Sequence, residues 1–293
     1  PLWMLFMSEF WERFAFYGIR WALVLYMVAQ FHAGNPSGEA PSNLIYGAYL
    51  AIVYAVAIFG GYIADRVIGY QRSILIGAVI MAAGLFMISV PNQVLFEVGL
   101  ATIIVGNGMF KPNISTMVGK LYPPGDERRD SGFTIFYMCI NTGAFIAPIL
   151  TQVLAERVFG TALMPAYKLV FLAAGVGMLI SLVWFWFGRA QLKGIGAPPA
   201  DGQGPGRVLL VALGAALVVP VVYFLLAQGA ATLNEQSLPR LNAVGDELAR
   251  TSRQVGRAAQ IVGDNPQSLL FGTGPTPPGP GEAGFVAPVP VAR

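Results

Sequence analysis

Seven stretches of this sequence are apolar over about the 20 residues that a helix needs to cross a bilayer. They run roughly Met7–Phe31, Asn43–Ala64, Ser73–Val90, Val94–Val118, Ser131–Leu154, Tyr167–Gly188 and Val208–Gln228. Hydrocarbon offers no partner to a free backbone amide, so each stretch has to be a helix that satisfies its own N–H and C=O groups. Only 11% of residues are charged, against about 25% in soluble domains, and mean hydropathy is +0.62. A water-facing surface cannot be made from that composition. The chain is expected to be an all-α, multi-pass membrane protein in contact with the lipid bilayer.

Charge in the connections orients the bundle. The connections after spans two, four and six carry Arg66 and Arg72, then Lys120, Arg128 and Arg129, then Arg189, Lys193 and Arg207. The connections after spans one and three carry no Lys or Arg, and the one after span five only Arg157 and Lys168. The excess of positive charge places the even-numbered loops in the cytoplasm. The net charge of +3 therefore reflects loops and implies no nucleic-acid partner. One cysteine, Cys139, leaves no disulfide framework and no multi-cysteine metal site. No phosphate-cradling glycine loop, catalytic triad or metal-ligand cluster is present, so no enzyme, metal or organic cofactor is expected. His32 falls in the loop after span one and reads as solvated. Pro91, Pro148 and Pro165 are expected to end or kink helices.

Span one departs from the others. It contains SEFWERFAFYGIR, Ser8 to Arg20, with four ionisable groups among aromatic residues. On a helix Glu9, Glu12, Arg13, Phe16, Tyr17 and Arg20 fall on one stripe. Charges at membrane depth are costly and face a watered cavity or one another. One reading is a structural clamp near the cytoplasmic end, with Glu9 and Glu12 paired to Arg13. The other is a polar pathway, because two carboxylates beside one arginine leave one acid able to gain and lose a proton. Lys111, mid-helix beside Pro112, is hard to explain without a functional partner.

Four stretches carry a resemblance. Glu9-Phe-Trp-Glu12-Arg13-Phe14-Ala-Phe16-Tyr17 resembles the ExxERFxYY motif of the proton-dependent oligopeptide transporters, a branch of the major facilitator superfamily. Gly60-Gly61-Tyr-Ile-Ala-Asp65-Arg66-Val-Ile-Gly69-Tyr-Gln-Arg72 is similar to that superfamily's loop between helices two and three. Gly106-Asn-Gly108-Met-Phe-Lys111-Pro112-Asn113-Ile-Ser resembles the family's fourth helix. Phe136-Tyr137-Met-Cys-Ile-Asn141-Thr-Gly143 resembles its fifth-helix signature. The resemblance covers about residues 1–228 and implies a six-helix bundle of the major facilitator type, with spans one to three and four to six as pseudo-repeats. It also implies proton-coupled symport of di- and tripeptides in a bacterial inner membrane, with the proton as coupling ion. By the same resemblance Glu9, Glu12 and Arg13 couple protonation, within reach of Lys111. Tyr17, Arg20, Tyr54, Lys111 and Asn141 contact the peptide, and Asp65, Arg66 and Arg72 form a gating loop. Phe16 stands where the family has the first tyrosine of its pair, so a hydroxyl is lost and the peptide preference is expected to shift. The glutamate–arginine cluster disfavours a drug or sugar carrier of the same superfamily.

The expected division is residues 1–189 for the six-helix half, 190–206 for a Gly/Pro linker, 207–228 for the seventh helix and 229–293 for a tail. Family members have two six-helix halves, and only the first is legible here. The chain opens on Pro1 without an initiator Met, which reads as a start missing a few residues; no cleavable signal peptide is recognisable. In the tail, Leu241, Val244, Leu248, Val255, Ala259 and Val262 recur at helical spacing. The segment after Asn265 is too rich in Pro and Gly to fold alone. With its NPQSLLFG ending, the tail resembles the C-terminus of a mammalian-cell-entry (MCE) lipid-transport protein. The alternative function is therefore a non-transporting fragment or membrane anchor carrying such a tail. The tail is expected to pack little against the bundle.

Overall fold

The computed structural model describes residues 1–198, 204–232, 235, 238–264 and 283. The NPQSLLFG ending and nearly all of the Pro/Gly run lie outside the described residues. Among the described residues, eight α-helices follow in order: α1 Leu2–Phe31, α2 Glu39–Ile63, α3 Tyr70–Met87, α4 Gln93–Lys120, α5 Arg128–Val153, α6 Tyr167–Gly188, α7 Pro205–Thr232 and α8 Leu238–Asp264. The first seven are long and apolar enough to cross a membrane, and the protein is a multi-pass integral membrane protein. Residues 1–234 form one compact unit, and α8 belongs to a second that begins at Glu235. Within α8, Val244 and Leu248 are exposed.

Helix boundaries follow local chemistry. Asn92 caps α4 by accepting a hydrogen bond from the Leu95 amide at 2.9 Å, as side-chain oxygens do at helix N-termini. Gly69, at φ 80°, turns the chain into α3, in the left-handed region that favours glycine. Of the three prolines expected to end or kink helices, Pro91 lies in the turn before α4 and Pro165 two residues before α6. Pro148 sits inside α5.

One feature is not legible in hydropathy. Both α2 and α5 continue into a wider, π-helical turn, Ala64–Ile68 and Leu154–Val158. Each is closed by a bond reaching back five residues, from the Gly69 amide to the Ala64 carbonyl and from the Phe159 amide to the Leu154 carbonyl, both 3.0 Å. Both turns contain Ala-acid-Arg-Val, as Ala64-Asp65-Arg66-Val67 and Ala155-Glu156-Arg157-Val158. The second helix of each expected three-helix repeat thus ends in the same way.

The six-helix unit packs on α4, whose apolar window is 72% buried, against 6% for α7. Backbones meet at glycines. A Cβ built on Gly77 would lie 2.7 Å from the Gly106 carbonyl oxygen, and one on Gly84 would lie 2.8 Å from that of Gly99. A methyl on Gly60 would run into the Gly108 carbonyl. Small residues at such seams let membrane helices approach and gain van der Waals contact where no hydrophobic drive exists between them. On the other flank α1 packs against α5 and α6. The Ser181 hydroxyl donates to the Ser8 carbonyl at 2.7 Å, and the Thr151 hydroxyl donates to the Gly18 carbonyl at 3.1 Å. Helix α7 lies on α2 and α4 through a stripe of Val211, Ala215, Val222 and Leu226.

The basic connections gather at one end. The Lys120 ammonium lies 4.9 Å from the centre of the Tyr70 ring, and the Gln71 side chain donates to the Ile195 carbonyl at 2.7 Å. These contacts bring together the segments that follow α2, α4 and α6. In a Cys139→Ala background, a cysteine placed at Asn35 should react with an impermeant maleimide from the outside of intact cells. One placed at Asp126 should react only after permeabilisation, and labelling of both from the same side would break this topology.

Candidate functional site

Helix α1 carries its polar stripe into the centre of the bundle. Glu9, Glu12 and Arg13 are each at most 1% exposed, and none faces lipid. The Arg13 Nε forms an ion pair with Glu9 Oε1 at 3.1 Å, one helical turn away. It also makes a short contact with Glu12 Oε2. The remaining oxygen of Glu12 accepts from the Asn107 side chain of α4 at 3.0 Å. Glu9 Oε2 and Arg13 Nη2 have no hydrogen-bond partner among the described residues. One guanidinium thus serves two carboxylates, so the trio carries one negative charge when both acids are ionised and none when one holds a proton.

Two features fix this arrangement. Gly143 of α5 is pressed against α1: a Cβ there would lie 2.9 Å from the Arg13 Cβ and 3.3 Å from the Phe10 carbonyl oxygen. Any larger residue would push α5 off the cluster. From α4, Asn107 lies four residues before Lys111, so both fall on the helix face turned to α1.

Beyond the cluster, cations gather around one ring. Phe16, only 2% exposed, has the Arg13 and Arg20 guanidinium carbons 5.2 and 5.8 Å from its centroid, and the Lys111 ammonium at 6.0 Å. Arg20 also lies 5.5 Å from the Tyr17 ring and donates to the Tyr46 hydroxyl at 2.8 Å. Lys111 lies 4.9 Å from the Tyr54 ring. Cation–π contacts of this kind are worth about 0.5–2 kcal/mol each. They hold Arg20 and Lys111 near each other while their N–H donors stay able to take an anion. Glu9, Glu12, Arg13, Tyr17, Arg20, Tyr54 and Lys111 therefore meet in one region. Asn141 does not join them through any described contact; it is exposed on α5, two residues before Gly143. Lys111 meets the ionic trio through the Phe16 ring, with no described hydrogen bond to either glutamate.

The residues of the expected gating loop lie apart, at the end where α2 passes into α3. Asp65 accepts a short hydrogen bond from the Tyr70 hydroxyl. Asp65 and Arg66 are exposed, and Arg72 is half-buried in the first turn of α3.

Sequence reasoning missed Asn107, Tyr46 and Asn113. The Asn113 amide donates to the Met109 carbonyl, the Ser73 hydroxyl and the Gly60 carbonyl at 2.6, 2.9 and 3.2 Å, tying α4 to α2 and α3 below the glycine seam. The available signal was a polar amide in an otherwise apolar span, at i and i+6 within GNGMFKPN.

Residues 71–213 match the POT family. The chain is 35% identical over 222 residues to "Dipeptide and tripeptide permease B" of Edwardsiella piscicida, covering 75% of this chain and 43% of that protein. It is 38% identical over 238 residues to the "Di-/tripeptide transporter" of Lactococcus lactis subsp. lactis (strain IL1403), covering 78% and 46%. A crystal structure of a POT family transporter in complex with a thioalcohol-conjugated peptide superposes with a TM-score of 0.63 at 35% identity, covering 79% of this chain and 47% of that one. The chain spans about half the length of the curated relatives it matches. Its transmembrane helices are similar to half of a peptide transporter.

Proposed function

We propose that this chain is the N-terminal half of a proton-coupled di- and tripeptide symporter of the POT family. The observation that carries this reading is the buried ionic trio, Glu9, Glu12 and Arg13, next to a pair of tethered cations in an otherwise apolar bundle. A peptide of any sequence offers a carboxylate, an amine and backbone amides. Arg20 and Lys111 are suited to the carboxylate, Tyr17 and Tyr54 to an aromatic wall, and Asn141 to amide pairing. The unequal count of acids and guanidinium in the trio makes it a site for one transferable proton. Asp65, Arg66 and Arg72 would act in gating, and the bacterial inner membrane is the matching location.

Alternating access in such carriers requires two units rocking about a shared site. A homodimer of this half would set Arg20 and Lys111 against their own copies and add like-charge repulsion. The second reading, a non-transporting anchor with a lipid-transport-type tail, rests on α8 and the sequence that follows it.

The clamp and proton-site readings of the trio differ in what a conservative change does. Removing Arg13 alone, as Arg13→Met, should cost about 3–5 kcal/mol, because it strands buried carboxylates. The triple change Glu9→Gln, Glu12→Gln, Arg13→Met should recover most of the loss in melting temperature in detergent. Proteoliposomes holding only residues 1–293 should show no uptake of dialanine driven by a pH gradient. A chimaera joining residues 1–228 to the second half of the Lactococcus lactis transporter should transport, and Glu12→Gln should lower its gradient-driven uptake at least about tenfold. Full activity of the Glu12→Gln chimaera would leave only the clamp, and uptake by the 293-residue chain itself would show that the half works as an oligomer.

A further inference from the structure

A groove runs down the outer face of the bundle between α3 and α6, and shares no residue with the ionic trio or with the cations around Phe16. Its upper part is a hollow of about 460 Å³ walled by apolar side chains of α3 and α6, with Ala212 of α7 at its edge. A second hollow, also about 460 Å³, continues from it and shares Leu75, Trp186 and Phe187. Its other side is basic, with Arg72, Arg189 and Lys193 in its lining and no carboxylate among the described lining residues. Along the apolar part Val79 and Val183 are about half exposed, at 53% and 52%, as expected of a surface bathed in lipid.

The basic end is built rather than incidental. The turn after α6 is anchored by fully buried Leu192 and by the Gln71 side chain on the Ile195 carbonyl at 2.7 Å. Lys193 adopts φ 46°, a left-handed conformation that is strained for a non-glycine residue. The Arg189 guanidinium stacks 3.6 Å from the Trp186 ring centre. Tryptophan is favoured at the depth of lipid headgroups, so the stack sets the cations where apolar groove gives way to water. An apolar slot that ends in a basic pocket at the membrane boundary, with no carboxylate among the described lining residues, is complementary to one class of molecule.

We propose that this groove binds an anionic diacyl phospholipid of the leaflet on the side of the basic loops. One acyl chain lies between α3 and α6, and the phosphate sits between Arg189 and Lys193. Each such cation contributes roughly 1 kcal/mol near an anionic headgroup, and the apolar slot adds acyl contact that a free anion cannot make.

The test uses the 293-residue chain in nanodiscs of phosphatidylcholine doped with phosphatidylglycerol, with lipid retention read by native mass spectrometry after release into detergent. Phosphatidylglycerol should be retained in preference to phosphatidylcholine. Arg189→Gln with Lys193→Gln should weaken its retention roughly 5- to 30-fold. Val183→Trp, which fills the slot from an exposed position and keeps every charge, should weaken it as well. Arg128→Gln with Arg129→Gln, which removes two cations of the same side outside the groove, should leave retention unchanged. Inorganic phosphate should not displace the lipid, whereas dihexanoyl phosphatidylglycerol should compete weakly. Equal retention of the two lipids, or retention unchanged in Arg189→Gln/Lys193→Gln or in Val183→Trp, would overturn the proposal. So would an equal loss in the Arg128/Arg129 pair, which means bulk attraction, or full displacement by phosphate, which means a site for free anions.

Discussion

A guanidinium in the middle of an apolar bundle is the constraint around which this structure is arranged. Arg13 cannot lose its charge, and no water-like medium surrounds it at that depth. Its neighbours are accordingly specified on every side. Two carboxylates come from its own helix, an amide from α4 orients one of them, and a glycine on α5 lets that helix close over it. The same charge accounts for Phe16 as a ring rather than an aliphatic residue, because its face attracts Arg13 and the two cations, Arg20 and Lys111, that border the cluster. Helix α1 is thus committed to α4 and α5 by chemistry as well as by shape, although its flanks are those of an ordinary lipid-compatible helix.

Much of this was legible in the sequence, for physical reasons that also mark where legibility ends. The spans are visible because the bilayer imposes a length and a polarity on every one of them. The charged stripe of α1 is visible because a helix converts spacing into direction, so Glu9, Glu12 and Arg13 have to share a face. The partners across helices are not legible in that way. That Asn107 meets Glu12, that Tyr46 meets Arg20, or that Gly143 touches Arg13 depends on how two helices cross, and no periodicity within one helix contains that information. The π turns closing α2 and α5 escaped for a related reason: one additional residue per turn leaves hydropathy unchanged. Lys111 shows an intermediate case. Its proximity to the trio was expected, but an aromatic ring rather than a direct bond lies between them.

The distribution of burial adds to the functional reading. Helices α2 and α5 are each buried over only 22% of their apolar windows, far less than α4. Their open faces carry Tyr54, Tyr62, Tyr137 and Phe145, all at least 59% exposed. Phenolic hydroxyls in hydrocarbon lack partners, whereas a second helical unit or a watered cavity would supply them. The candidate peptide-contacting residues Tyr54 and Asn141 lie on these same two helices. On the proposed reading, the surface that looks unfinished in the half is the one that a complete carrier would use.

The glycine seam of α4 has a consequence for how this chain can vary over generations. In most proteins the buried positions of a helix tolerate exchange among apolar residues of similar volume, while special backbone geometry restricts loops. Along α4 the rule is different. At Gly106, and at Gly60, Gly77 and Gly84 on the helices facing it, the neighbour is another backbone, which cannot repack, so even alanine is excluded where leucine for isoleucine would pass one turn away. Drift in this helix is therefore confined to a few faces. A lineage that lost one of these glycines would need a matching change in helix separation, not merely a compensating side chain.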